Sequence, residues 1–357
     1  MQELTGAGKS AAKTLIKRLP SPIYALSVVD NRADGRVFVD DPQKPGVAIV
    51  WESTGNAFIS GNPTPESVLA IADVIVGQFI PEAVSTRSRP MCFIAYSPDS
   101  WGTHLPSILK GYPPIEDTRL CYRAEGTDDF AVSHLSRLTS APADSEVRAA
   151  DDDLLKSGLT NIDEVRSEAQ KMWGTLDRFL KEGFGYCVVS GEAVTSWSLT
   201  ECPSGDRCSV GVETVEGFQR RGHATAAAAN TLLRARREGI RADWDLWASN
   251  EPSLNLAEKL GLTRVAEYPV HFFWFDRVDN MLVNGRIASR RDRREEAATW
   301  FRKAFETANA ASESKSSWLL SSPERRVYWL TLAADVCEKA GRLTLAKEYR
   351  ERAAREV

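Results

Sequence analysis

The stretch CSVGVETVEGFQRRGHATAAAANTLLRARREGIRADWDLWASNEPSLNLAEKLGL, Cys208 to Leu262, decides how this chain folds. Its opening, CSVGVETV, alternates apolar and polar positions as a half-buried strand does. A short loop follows, and QRRGHA starts a helix rich in alanine. Gln219, Gly222 and Ala224 stand in QxxGxA spacing. Small residues there let backbone amides approach a ligand, and the first turn of a helix leaves its N–H groups unpaired. Arg220 and Arg221 add positive charge beside the turn, so the segment suits a phosphate-bearing ligand. The strand ADWDLWAS and the helix PSLNLAEKLG complete a strand–helix–strand–helix order.

Working outward, the strands FGYCVVS and AVTSWSLTE precede this core, and TRVAEYPVHFFWF supplies strands after it. Two helical segments, LLKSG and NIDEVRSEAQKMWGTLDRFLKEG, come earlier, the second with apolar Val165, Met172, Leu176 and Leu180. The small, Pro and acidic residues of TSAPADSEVRAADDD, 140–153, read as a loop at a domain boundary. Residues 23–124 hold strands in RVFVDD, GVAIVWES and NAFISG, an apolar helix ESVLAIADVIVGQFI, a strand MCFIAYS, a short helix near HLPSILKGY and a strand RLCYRAE. That order echoes the second half and suggests a diverged internal duplication. Beyond residue 280 the chain is helical, with buried stripes expected at Ala297, Trp300, Ala304 and at Ala346, Tyr349, Ala353. The segment around Gly341 resembles one tetratricopeptide-like helical hairpin, so residues 278–357 read as a helical appendage. The expected fold class is α/β with a mixed sheet, in domains 1–150, 151–277 and 278–357.

With 357 residues, 43% hydrophobic and 26% charged, the chain is an ordinary globular protein rather than a disordered one. Its longest apolar stretch, Val68 to Ile80, contains Asp73 and Gln78, so no transmembrane helix is expected. The first twenty residues lack an apolar core before a cleavage site, and a cytoplasmic protein is expected. Six cysteines form no CxxC pair and read as buried free thiols. Four histidines and no ligand cluster argue for no metal. Residues 1–275 carry 28 Lys+Arg against 36 Asp+Glu, and residues 276–357 carry 17 against 13. An acidic body favours a cationic substrate, while a basic tail suits phosphate or an acidic partner.

Taken together, the strand, the QxxGxA turn, the helix, the second strand ending near Asn250 and the AEKLGL helix end resemble the acyl-CoA-binding core of the GNAT acyltransferase superfamily over residues 155–275. Within it the chain is most similar to a bacterial group with the signatures seen here as ETVEGFQRRG and WDLWASNEPSLNLAEKLG. The first half, with no Gly-rich turn after its third strand, looks like that group's degenerate GNAT-like lobe. The resemblance implies tandem GNAT-like lobes with one acyl-CoA site. It also implies that backbone groups of Val212 and Thr214 pair with the pantetheine arm, that amides of 219–224 cradle the pyrophosphate, and that Asn250 and Ser253 lie near the thioester between two splayed strands. Read by itself, Asn250 is also a helix N-cap.

Amine acylation requires that a group take the proton of an ammonium whose pKa is about 10.4 for a lysine-like amine. Glu213 and Asp245 are the candidate bases, and Glu213 is preferred, since strand alternation turns it away from Val212 and Thr214. A solvated or ion-paired carboxylate is the plain alternative for each. Where many GNAT enzymes carry a Tyr that protonates the leaving thiolate, this chain has Ala257. Ser253 and Tyr268 are the replacements considered, although a structural hydroxyl suits Tyr268 better. His223 looks exposed in the turn and is expected to touch phosphate. The implied activity is N-acylation, acetylation foremost, of a small-molecule amine by acetyl-CoA or another acyl-CoA. A carrier-protein or aminoacyl-tRNA donor, and a non-catalytic acyl-CoA sensor, stand as alternatives, and a homodimer is left open. GAGKS at 6–10 lacks the first P-loop glycine, Glu3 standing in its place, and no strand is expected before it. The basic run RIASRRDRREE reads as a solvated helix start, and Trp197, Trp244 and Trp247 as core.

Overall fold

The computed structural model describes residues 1–86, 90–124, 129–310 and 317–356. They form two units, one of Met1–Pro63, Ala95–Trp101 and Asp117–Val270, the other of Thr64–Ile94, Gly102–Glu116 and His271–Val357. In the first unit β1 (Gln2–Leu4), β2 (Gly35–Val39), β3 (Val47–Glu52) and β4 (Ala57–Gly61) make an antiparallel meander. The strands β5 (Met91–Ser97) and β12 (Thr263–Trp274) have residues in both units. The remaining strands are β6 (Ile115–Arg123), whose first two residues belong to the second unit, β7 (Glu146–Ala149), β8 (Gly185–Ser190), β9 (Ala193–Ser204), β10 (Arg207–Thr214) and β11 (Arg241–Trp247). Their order is β6-β11-β10-β9-β8-β7, antiparallel throughout except for the parallel pair β10–β11. The expected class, mixed α/β with C-terminal helices, holds.

Alternation along β10 sorts its two faces. Cys208 and Val210 are buried with Trp244 and Leu246 of β11 under the helix His223–Arg237, and Val212 packs against that cluster. Runs of alanine bring the helix close, since Ala226, Ala227, Ala228 and Ala229 are all buried. The other face of β8 and β9 is covered by the helices Ile162–Trp173 and Leu176–Glu182, through Val165, Ala169, Trp173 and Phe179. The break between those helices falls at Gly174, φ 79°, where a left-handed backbone favours glycine. Thr175 then caps the second helix, its hydroxyl accepting from the Arg178 amide.

Three local expectations change. The 140–153 stretch contains β7, whose Glu146–Ala149 pairs antiparallel with Val189–Tyr186 of β8, so its valine and backbone join the sheet despite the loop-like composition. A strand does precede GAGKS, since β1 pairs with β2. Lys9 then donates to the Gly35 carbonyl at 2.8 Å, which leaves it tied to backbone. The closing TRVAEYPVHFFWF is one strand of twelve residues.

In the second unit, residues Pro65–Thr86 form a continuous helical segment through a π turn at Ile75–Phe79. By length and composition alone it could cross a membrane, but Ile71, Val74, Ile75, Phe79 and Ile80 are buried in protein, as in a core helix. Helices Arg277–Arg290, Arg294–Asn309, Pro323–Lys339 and Leu343–Ala354 form the C-terminal array. Ala346, Tyr349 and Ala353 are buried as expected. In the other stripe Ala297 and Ala304 are buried but Phe301, rather than Trp300, is the fully buried ring, because its side chain meets Trp329 at 6.4 Å. The Asp279 carboxylate is buried and accepts from the Ser317 hydroxyl at 2.5 Å and from the amides of Trp318 and Leu319 at 3.0 and 3.1 Å. Burial pushes its pKa up to about 6.

Candidate active site

The parallel pairing of β10 and β11 covers three residue pairs, Arg207 with Arg241 through Ser209 with Asp243, and then stops. Both strands continue: Val210–Thr214 stay paired with β9, and Trp244–Trp247 stay paired with β6. Two parallel strands that part in this way leave one ladder edge of β10 without a strand beside it, and backbone polar groups on such an edge are available to an extended ligand.

A cleft of about 900 Å³ opens there, bordered by Val212, Glu213 and Thr214 of β10, by residues of the turn between Phe218 and Thr225, and by the helix that starts after Asn250, as far as Lys259. The turn is built from backbone. Arg220 and Gly222 both take left-handed conformations, φ 61° and 91°, and Gly222 occupies the N-cap of the helix with no side-chain cap. The amides of its first turn therefore meet no capping oxygen, which with the dipole favours an anion. A residue with a Cβ at Gly222 would be strained by its φ. Of the two arginines, Arg220 borders the cleft; Arg221 does not, and its guanidinium stands 5.7 Å from the Phe218 ring centre.

His223 is buried, contrary to its expected exposure, because it is the first residue of a helix packed on the sheet. The Thr195 hydroxyl donates to the Val188 carbonyl at 3.0 Å, so at its 2.8 Å contact with His223 it accepts from Nδ1–H. Burial, then Arg221, hold the His223 pKa below its ordinary value. The ring is a neutral anchor for the turn. Gln219, Ala224, Asn250 and Ser253 all border the cleft. The Asn250 side chain accepts from the Ser253 amide at 3.2 Å as an N-cap, and the Ser253 hydroxyl accepts from Trp244 Nε1 at 3.0 Å.

The four candidate catalytic residues separate into two places. Glu213 and Ser253 border the cleft. Asp245 is buried in an ion pair with Arg119, which sequence reasoning did not single out, and accepts from the Tyr268 hydroxyl at 2.5 Å. Burial pushes the Tyr268 pKa up. Asp245 thus already holds a guanidinium and a phenol, and it does not border the cleft. Arg119 also lies 4.8 Å from the Trp247 ring centre. The neighbouring Asp243 is fully buried between Arg123, at 2.8 Å, and Arg207. Ala257, at the position of the missing Tyr, is buried in the core and does not border the cleft. All six cysteines are free and buried. Among the described residues no group of three His, Cys, Asp or Glu could hold a metal.

Two further acids lie behind Glu213. Glu168 of the Ile162–Trp173 helix accepts from Trp197 Nε1 at 2.7 Å, and a Cβ on Gly211 would lie 3.2 Å from its Oε1 and 2.1 Å from Oε1 of Glu201, so the two carboxyls converge over that glycine. The signal for Glu201 was its place on β9 opposite Ser209; nothing in sequence marked Glu168.

The GNAT acetyltransferase family model matches residues 13–271. The uncharacterized N-acetyltransferase YdfB of Bacillus subtilis (strain 168) is 26% identical over 272 residues, 76% of this chain and 98% of its own length. The crystal structure of a GCN5-related N-acetyltransferase-like protein from Streptococcus suis 89/1591 shares the fold, with a TM-score of 0.57 at 21% identity over 75% of this chain and 100% of that one. The C-terminal helices lie beyond the family match. A match over most of the chain, with a phosphate-suited turn beside splayed strands, makes this protein an acyltransferase of the GNAT acetyltransferase family.

Proposed function

We propose that this enzyme moves the acetyl group of acetyl-CoA, the co-substrate of its family, to the amine of a small molecule in the cytoplasm. The observation that carries the reading is the parting of β10 from β11 beyond Ser209 and Asp243, beside an uncapped helix start. The donor set fits the co-substrate: amides of 219–224 and the Arg220 guanidinium for pyrophosphate, the open edge of β10 at Val212–Thr214 for the pantetheine amides, and Asn250 and Ser253 at the far wall.

Glu213 is the base of this reading, since it is the carboxylate of β10 that borders the cleft, whereas Asp245 is held by Arg119 and Tyr268. The acceptor arrives as an ammonium and gives one proton to Glu213, directly or through a water. Its nitrogen lone pair then forms the C–N bond at the thioester carbonyl, and the C–S bond breaks with its electron pair on sulfur. The second nitrogen proton ends on the thiolate, giving amide and free thiol, while the proton on Glu213 returns to solvent. Ser253 is the candidate hydroxyl for the sulfur side, as it accepts from Trp244 and keeps its own hydrogen to donate, whereas the Tyr268 hydrogen is given to Asp245.

The test is thiol release from acetyl-CoA over a panel of small amines. A Glu213→Gln variant should lose about 10²- to 10⁴-fold in kcat while keeping its affinity for acetyl-CoA. Unchanged turnover removes Glu213 as the base, and acetyl-CoA binding without turnover on any amine supports a sensor.

A further inference from the structure

Among the described residues two cations of lasting charge border the cleft, and they stand on different elements. Arg220 belongs to the turn before the His223–Arg237 helix, whose uncapped start suits the pyrophosphate. Lys259 is the last residue of the helix Glu251–Lys259. On that helix Ser253, Leu256 and Lys259 all border the cleft, and their spacing puts them along one face. The cleft therefore follows the helix along its length, and the charge changes sign on the way. Glu251 borders it at the head and Lys259 at the end, about 12 Å apart at a rise of about 1.5 Å per residue. The acid of the opposite wall is Glu213, on β10.

The backbone beneath Lys259 is held in place. Gly261 takes a left-handed φ of 73°, its amide donates to the Glu258 carbonyl at 3.0 Å, and the Leu262 amide donates to the Ala257 carbonyl at 3.0 Å. These are the two closing bonds of a Schellman turn. The Lys259 carbonyl accepts from His134 Nε2–H at 2.8 Å, so the helix end is also tied to the Asp129–Arg137 helix. Lys259 is exposed, and its ammonium makes no ion pair or hydrogen bond among the described residues. A fixed helix end thus presents a solvated ammonium to the cleft.

We propose that Lys259 binds the 3′-phosphate of coenzyme A and makes the enzyme select acetyl-CoA over its 3′-dephospho form. The inference rests on the acetyl-CoA reading above. The co-substrate carries a pyrophosphate and, on its ribose, a separate phosphate monoester. The turn amides and Arg220 suit the first. The second is set apart from it by the sugar and calls for a cation from another element, which Lys259 supplies from the facing helix. Glu213 and Glu251 suit instead the neutral thioester and a cationic acceptor amine, since acids repel phosphate. A lysine in the last turn also complements the helix dipole, but that role moves folding stability and cannot distinguish two ligands that differ by one phosphate.

Calorimetric titration with acetyl-CoA and with 3′-dephospho-acetyl-CoA separates the roles in wild type, Lys259→Met, Lys259→Arg and Arg220→Met. Wild type should bind acetyl-CoA about tenfold more tightly, the size of one contact between charged groups. Lys259→Met should bring acetyl-CoA affinity down to that of the dephospho ligand and leave the latter unchanged, while Lys259→Arg keeps the preference. Arg220→Met should weaken both ligands equally, because both retain the pyrophosphate. Equal binding of the two ligands by wild type overturns the proposal, as does an equal loss for both in Lys259→Met. A loss confined to acetyl-CoA in Arg220→Met, with none in Lys259→Met, assigns the monoester to Arg220 and overturns it too. Failure of the wild type to bind either ligand is a different result, which removes the acetyl-CoA reading and the proposal with it.

Discussion

Ser209 and Asp243 are the last partners of the parallel pair β10–β11, and beyond them each strand keeps only its outer neighbour. At that vertex the Ser209 hydroxyl is held by Tyr24 and the Asp243 carboxylate by Arg123 and Arg207, so the point of divergence is fixed from the side opposite the alanine-rich helix. The cleft begins where these contacts end.

The Arg119–Asp245 pair is expected to carry stability. Replacing Asp245 with Asn removes the carboxylate that faces the buried Arg119 guanidinium, and the change should cost about 3–5 kcal/mol in urea unfolding. A loss below about 1 kcal/mol would mean that Arg119 finds another partner or water.

His223 gives the turn a pH dependence. Its folded pKa lies below the ordinary value near 6.5, so its contribution is complete above that pH and is lost as pH falls towards the folded value. Urea melts at pH 7.5 and 5 should show a smaller drop for His223→Gln than for wild type. An identical drop would assign the acid sensitivity elsewhere.

Asp279 works in the opposite direction. Its pKa of about 6 in the folded protein exceeds the unfolded value near 3.9, so stability declines as pH rises from about 4 to 6. The loss is about 3 kcal/mol by pH 7, from two units at 1.36 kcal/mol each. Asp279→Asn should remove that slope in melts of the intact chain; the same slope in the variant would contradict the assignment.

Ala257→Tyr should not restore a general acid. The Ala257 side chain is fully buried in the core, and a phenol there overpacks it, at a cost of about 1–3 kcal/mol. A variant of unchanged stability and raised kcat would show that the ring turns into the cleft.

The family and the cleft were legible because they depend on local grammar. QxxGxA placed after an alternating strand requires a left-handed backbone at Gly222 and an uncapped helix start, and both are present. The alternation that turned Glu213 away from Val212 was equally readable. What escaped was long-range pairing. Arg119 meets Asp245 across 126 residues and Thr195 meets His223 across 28, and no periodicity announces such partners. Asp245 looked like a base and His223 looked exposed for that reason. The strand β7 was missed because only four residues of EVRA carry it, flanked by turn formers, and its pairing with β8 decides its state. Glu168 was not singled out because its approach to Glu201 depends on the gap at Gly211.

The most direct measurement is a calorimetric titration of acetyl-CoA into the wild-type protein and into Gly222→Asp, whose carboxylate and strained φ both oppose an anion at the turn. The account requires one site in the wild type and at least about 100-fold weaker binding in the variant, roughly the 2.7 kcal/mol of two lost charge-assisted contacts. Equal binding by both proteins, or none by the wild type, would contradict it, the second result pointing to a carrier-protein or aminoacyl-tRNA donor.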